Sequence, residues 1–377
     1  MRRVYLDHNA STPVDPRVLD AMLPFLREDY GNPSSLHWFG QRARAAVEEA
    51  RARVAALVGA EPAEIVFTAS GSESDNMALR GVAAKATPAR AGVVCSAIEH
   101  HAVLNTAKAM REEGRAVGIA RVGGSGILDL DDLAARVDDT TAVVSVMLAN
   151  NETGALQPVA EAARIARARG AIVHCDAVQA AGKVPVDVRA LDVDLLTLSA
   201  HKICGPKGVG CLYARRGTPM APLVRGGGQE RNRRAGTENV AGVVGFGAAA
   251  VLAGEGPGAE AARLAALRDR LERRLLAVPG ALRNGGEPRL PNTANVSFEA
   301  TEAEDLLIAL DLEGIAVSTG AACAAGGVEP SHVLRAMGLP PERVQSSLRL
   351  SLGRGTTEAD VDHAAGVIAT VVGRMRR

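Results

Sequence analysis

The 377 residues exceed what one hydrophobic core usually serves, so a large domain with a smaller companion is expected. Lys plus Arg and Asp plus Glu each number 43, and this zero net charge excludes the basic footprint of a nucleic-acid or anionic-membrane binder. The first apolar run, Val4-Tyr5-Leu6, is too short for a signal peptide or a membrane span, so the cytoplasm is the expected location; five cysteines without a CxxC pair argue against a disulfide framework or a zinc site and leave a reactive thiol as their use.

In chain order, helical spacing of apolar residues predicts helices over 17–26 and 41–58, followed by a buried strand over 64–68. Further strands are expected over 93–96, 142–148, 171–175, 194–199 and 209–214, with helices over 73–84, 101–113 and 159–169 between them. Such alternation predicts an α/β fold whose mostly parallel sheet is covered by helices on both faces, with ligand sites beyond the C-terminal ends of the strands. The Gly/Pro stretch 254–258 marks a domain boundary. Beyond it a helix over 261–276, strands over 295–298 and 348–352, and helices over 304–312 and 330–336 predict a smaller α+β domain.

The chemistry is expected at the strand ends. Lys202 leaves an apolar strand into the Gly/Pro loop Cys204-Gly205-Pro206, where partial desolvation would lower its amine pKa as Schiff-base chemistry requires. Asp176 ends the preceding strand and can pair with a pyridinium nitrogen. Gly71 and Ser72, at a strand-to-helix junction, can cradle a phosphate with backbone donors; a plain Ser70/Glu73 capping box would use the same helix end. His100, in Glu99-His100-His101, can stack on a flat ring and handle protons, while the amide of Asn151 can hold a phenolate or a carboxylate. Cys323 lies among small residues between Gly320 and Gly326-Gly327, where a thiolate can reach a site and swing outward. Taken singly, each has a plainer explanation: a snorkelling lysine, a capping acid, a structural histidine, a turn asparagine or an inert buried cysteine.

Taken together and in order, Gly31-Asn32-Pro33-Ser34-Ser35, Glu99-His100-His101, Asn150-Asn151-Glu152, Asp176-Ala177-Val178-Gln179, Ser199-Ala200-His201-Lys202, Arg234-Ala235-Gly236-Thr237 and the Cys323 segment resemble the cysteine desulfurases of the NifS/IscS group, a class V aminotransferase-like branch of pyridoxal-phosphate enzymes. The resemblance runs from Tyr5 to about Glu358. It implies a fold-type I architecture: a large cofactor domain over 13–257 with a seven-stranded sheet, and a small domain of 1–12 with 258–377. It further implies pyridoxal phosphate bound to Lys202 as a Schiff base. Asp176 would meet the pyridine nitrogen, His100 would stack on the ring and Gln179 would contact its phenolic oxygen. Gly71, Ser72, Ser199 and His201 would hold the phosphate, with Thr237 reaching it from the other subunit of a homodimer. Asn151 and Arg349 would bind the carboxylate of substrate L-cysteine. Cys323 would then take the sulfur as a persulfide, release alanine and pass the sulfur to an acceptor protein such as an iron-sulfur scaffold. No metal, nucleic acid or membrane is implied. The sequence departs from the family pattern at Leu148, Arg225, Ala321 and Cys204. The alternatives are a selenocysteine lyase, an aminotransferase of the same fold, or a non-catalytic scaffold for sulfur-transfer partners. The last would have lost Lys202 or Cys323.

Overall fold

The computed structural model describes residues 2–255, 257–319, 323–324, 327–328 and 330–376, the side chains of 257, 323, 324, 327 and 328 excepted. Seven strands form the large sheet: β1 (Ile65–Thr68), β2 (Gly92–Ser96), β3 (Val117–Ala120), β4 (Thr141–Ser145), β5 (Ile172–Asp176), β6 (Leu195–Ser199) and β7 (Gly210–Ala214). Their order is β1-β7-β6-β5-β4-β2-β3, and only β7 runs against its neighbours. The mostly parallel α/β sheet expected from the alternation is therefore present. Successive side chains along a strand point to opposite faces, and the apolar residues divide accordingly. Ile65, Phe67, Val94, Val144, Leu196 and Tyr213 join one core, whereas Val66, Val93, Val143, Leu195 and Leu212 join another.

The first core is closed by α2 (Trp38–Leu57), α6 (Val159–Ala168) and α7 (Val240–Gly254); the second is closed by α3 (Gly71–Lys85) and α4 (His101–Glu112). Helices α1 (Pro16–Arg27) and α5 (Leu130–Arg136) complete this part of the chain. Helix α7 escapes a periodicity search because Ala, Gly and Val surround it and most of its residues are buried, leaving no polar stripe. Strand β3 escapes because it is a partly exposed edge strand of four residues, one of them glycine.

After the Gly/Pro stretch, α8 (Pro257–Leu276) leads into an antiparallel sheet of β8 (Ala281–Arg283), β9 (Thr293–Phe298) and β10 (Ser347–Ser351), with β9 in the centre. Helices α9 (Ala303–Leu312), α10 (His332–Ala336) and α11 (Glu358–Met375) belong to this half. Leu267, Leu271, Val296, Leu306, Leu350 and Ile368 form its core, and Val4 and Leu6 from the N-terminus pack into it. Val4–Tyr5 pairs in parallel with Ile315–Ala316, so the segment that follows, Asp7 to Ser11, crosses from this core to the large sheet. Among the described residues, no single helix is long and apolar enough to cross a membrane.

Candidate active site

A cavity of about 630 Å³ opens where the C-terminal ends of β2, β4, β5 and β6 meet the N-terminus of α3 and strand β10 of the three-stranded sheet. Gly71, Ser72, His100, Asn151, Asp176 and Gln179 line it, as do Ser199, His201, Lys202 and Arg349. Ten residues spread over nearly 280 positions of sequence thus share one cavity: nine lie at the C-terminal ends of parallel strands, which deliver their loops to one edge, and Arg349 comes from β10. Thr237 does not line this cavity. It sits in a separate cleft with Arg234, Gly236 and the end of β1.

Lys202 follows β6 in a single helical turn, and its Nζ donates to the carbonyls of Asn9 at 2.6 Å and Ala10 at 2.8 Å. Burial, with the Arg349 cation as a secondary cause, lowers its pKa to about 8. A neutral amine is therefore accessible near physiological pH, as nucleophilic capture of a carbonyl requires. In cofactor-free protein, trapping of Lys202 by a small aldehyde with cyanoborohydride is expected to rise through a midpoint near pH 8. A midpoint at the ordinary lysine value would show that the amine is not desolvated.

Asp176 is buried, and its Oδ1 accepts the Val178 N–H at 2.9 Å. Asp75, from the first turns of α3, is buried against the same cavity, and its Oδ1 finds no hydrogen-bond partner. Burial pushes both carboxyls above the usual range, and the Asp176 charge adds to the rise at Asp75. Two buried acids facing one cavity fit a ligand that brings a cationic N–H to them. Beside them His174 is neutral, its pKa lowered to about 3 by burial, with Nδ1 at 2.9 Å from Ser145 Oγ and Nε2 at 3.0 Å from Thr197 Oγ1. The sequence pattern did not single out Asp75 or His174. The signal for His174 is alternation, since His174 and Asp176 are two apart on β5 and must share a face.

His100 caps α4 by accepting the Ala102 N–H on Nδ1 at 3.1 Å, so the proton of the neutral ring is on Nε2. The residue is exposed where it lines the cavity, yet desolvation by the protein around the ring, with the Lys202 charge, lowers its pKa to about 4. A neutral, flat donor therefore lines the cavity that Asp176 also lines. Ser70 Oγ caps the Glu73 N–H at 3.1 Å, leaving Gly71 and Ser72 in the first turn of α3, where backbone donors lack helical partners. The capping box expected here is displaced by one residue: Glu73 Oε2 accepts the Ala69 N–H, while Oε1 takes Arg234 Nε at 2.8 Å. A Cβ at position 71 would come within 3.1 Å of Val178 Cγ2, so glycine keeps this anion-sized corner open.

Gln179 donates from Nε2 to Asn9 O at 2.8 Å, and its Oε1 accepts from Lys183 Nζ at 3.1 Å. His201 Nδ1 lies 3.3 Å from Ser11 Oγ. Arg349 reaches the cavity from β10, held by Asp7 Oδ1 at 2.7 Å and by the backbone carbonyl of Asn151 at 3.2 Å. Its Nε is buried without a partner, leaving a fork positioned with donor capacity to spare. The N-terminal residues Asp7, Asn9 and Ser11 were not recognised as site residues, and only their contacts with Lys202, Gln179, His201 and Arg349 identify them.

The segment carrying Thr237 is pinned beside this site. Glu230, Arg231 and Asn232 are consecutive left-handed residues without a glycine, a strained turn. The Glu230 carboxylate holds it by accepting from Arg51 Nη1 at 2.7 Å, Arg51 Nη2 at 2.8 Å and the Phe67 N–H at 2.8 Å, all buried. Removing one partner of such a pair costs about 3–5 kcal/mol.

Of the four family departures, Leu148 is buried against the large core and Arg225 borders a shallow surface cleft. Ala321 lies outside the described residues. Cys204 has φ 63° and is tied by its N–H to Thr12 Oγ1 and by its carbonyl to the Asp15 N–H; it does not line the cavity. The backbone of Cys323–Ala324 pairs antiparallel with Gly327–Val328, and the Cys323 side chain lies outside the described residues.

Comparison with known proteins covers nearly the whole chain. The family model Aminotransferase class-V matches residues 4–363. A curated relative, the cysteine desulfurase of Trichormus azollae, is 49% identical over 378 residues, covering 100% of this chain and 94% of the relative. A solved structure described as a NifS-like protein superposes with a TM-score of 0.94 at 40% identity, covering 99% of this chain and 100% of its own. Another, described as SspA in complex with cysteine, gives a TM-score of 0.83 at 33% identity, covering 93% of this chain and 99% of its own.

Proposed function

The chain belongs to the aminotransferase class-V family and, within it, to the pyridoxal-phosphate-dependent cysteine desulfurases, and from that premise we propose that the cavity binds pyridoxal phosphate and L-cysteine and delivers the sulfur to Cys323. The observation that carries this reading is the desolvated Lys202 amine just beyond β6, which shares one cavity with Asp176, His100 and the Arg349 fork.

When bound, pyridoxal phosphate supplies an electron sink for the pair left at Cα when its proton departs. Lys202 would hold the cofactor covalently, and the freed Nζ would take the Cα proton. Asp176 would keep a proton on the ring nitrogen, and the relief of its buried charge favours that state. His100 would cover the ring with its neutral face, and Gln179 would meet the ring oxygen. Gly71 and Ser72 would give backbone donors to the phosphate, joined by Ser199 and His201. Arg349, with Asn151, would orient the cysteine carboxylate. The Cys323 thiolate would attack the substrate sulfur: an S–S bond forms, the Cβ–S bond breaks, and its electron pair stays with the carbon skeleton. Protonation then yields alanine, leaving a persulfide on Cys323. The persulfide sulfur would pass to an acceptor protein of the iron-sulfur scaffold type, within the cytoplasm. Borohydride treatment followed by peptide mapping tests the cofactor assignment: the pyridoxyl group is expected on the Lys202 peptide. A protein that gains no visible absorbance with pyridoxal phosphate would end it.

The same reading includes a homodimer. Thr237 lies outside its own chain's cavity, and Tyr30, Leu36 and Trp38 are 74%, 89% and 59% exposed, an apolar surface of the kind that marks an interface. Mixing Lys202→Ala with Thr237→Ala subunits checks the arrangement. If Thr237 serves the partner's phosphate, each heterodimer has one doubly damaged site and one intact site, and activity should return to about half of the parent dimer. Heterodimers no more active than the parental variants would show that both groups serve the same chain's site.

A further inference from the structure

The chain on either side of residues 320–329 is anchored to Arg349 and to Glu152, the neighbour of Asn151. On the N-terminal side, the Ser318 N–H donates to the Arg349 carbonyl at 3.2 Å and the Arg349 N–H to the Ser318 carbonyl at 2.7 Å. On the C-terminal side, Ser331 is buried, and its hydroxyl is used in both directions. Oγ accepts the Leu334 N–H at 3.1 Å as the cap of α10, and its proton is donated to Glu152 Oε2 at 2.5 Å. Glu152 is the residue next to Asn151. It is only 2% exposed, and its own backbone is fixed at both polar groups: its N–H by Asn150 Oδ1 at 2.9 Å, its carbonyl by Asn295 Nδ2 at 3.2 Å. The next residue, His332, donates from Nε2 to the carbonyl of Glu99 at 2.9 Å and lies with its ring 4.6 Å from that of His101.

We propose that Glu152 is a positioning residue for the sulfur-transfer half of the reaction, fixing through Ser331 the point at which the chain rejoins the active-site wall after Cys323. A surface role does not explain it, because a buried carboxyl costs free energy unless hydrogen-bonded, and burial has already raised this one to about 7. The contact spans 179 residues of sequence and ties the turn that carries Asn151 to the chain that follows Cys323. Thiol attack needs the sulfur atoms within contact range and in line, so the stem's placement enters the rate of that step and not the binding of cysteine.

This inference rests on Cys323 as sulfur acceptor, and its test separates the two. In holoenzyme, single-turnover persulfide formation is followed by mass spectrometry of the Cys323 peptide, cysteine binding by the change in cofactor absorbance, and KM and kcat at steady state. Glu152→Ala and Ser331→Ala are each expected to slow persulfide formation about tenfold to a hundredfold, the scale for displacing a reacting group by about 1 Å, with KM little changed. The double variant should be no slower than the slower single one, and Ser331→Thr, which keeps the hydroxyl, should restore the rate. Glu152→Gln, which keeps an acceptor and the shape, should lie between parent and alanine variant while melting at the parent temperature. Unchanged rates, losses confined to KM, or effects that multiply in the double variant would overturn the role of Glu152. Sulfur on another peptide in the parent enzyme would instead overturn the assignment of Cys323.

Discussion

Lys202→Ala is expected to abolish alanine formation from cysteine, by at least about 10³-fold, while the folded protein still takes up pyridoxal phosphate reversibly. The size follows from two duties falling on one atom. Nζ lines the strand-end cavity, donates to two fixed carbonyls and has a pKa near 8, so it is the group placed to capture the cofactor and to move the Cα proton. Deleting it also removes two hydrogen bonds to Asn9 and Ala10, a modest structural loss because that segment is held independently by Ser351 and Thr293. Uptake should persist because Gly71, Ser72, Asp176 and His100 are positioned by elements that do not depend on the lysine. The absorbance of the variant should be that of free cofactor, and borohydride should leave no label on its peptides. Retention of alanine formation within about tenfold of the parent would assign the proton transfer to another base.

Much of this site was legible because parallel strands announce themselves as short apolar runs, and chemistry collects where those runs stop. Asp176 and Lys202 end two such runs, and Gly71 begins the helix after a third, so residue type and position sufficed. Contacts between distant segments were not legible. Nothing in Asp7 to Ser11 indicates that these residues hold Lys202, Gln179 and Arg349, because that placement results from Val4–Tyr5 pairing with Ile315–Ala316. The Glu152–Ser331 contact and the left-handed Glu230–Asn232 turn are likewise products of tertiary packing, the latter without the glycine that would have announced it. Helix α11 did carry a local signal that went unread, the Thr357–Asp360 capping box.

Cys323→Ser is expected to separate binding from sulfur transfer. Lys202, Arg349 and Asn151 are untouched by the change, so cysteine should bind and perturb the cofactor spectrum as in the parent. Persulfide and sulfide formation should fall by about 10²-fold or more, since a serine hydroxyl at neutral pH is a poor nucleophile toward sulfur. Cys204 is the obvious competitor, being two residues from Lys202. Its left-handed backbone is tied on both sides to Thr12 and Asp15, and its residue does not line the cavity, so it cannot carry sulfur away from the site. Cys204→Ser should therefore keep most activity. Cys95, Cys175 and Cys211 are buried, and burial raises each thiol pKa, which suppresses the thiolate.

Mass spectrometry of the holoenzyme after brief exposure to L-cysteine tests the central claim most directly. One added sulfur, about 32 Da, is expected on the peptide containing Cys323 together with an equivalent of alanine. Added sulfur on the Cys204 peptide, with full activity in Cys323→Ser, would contradict it.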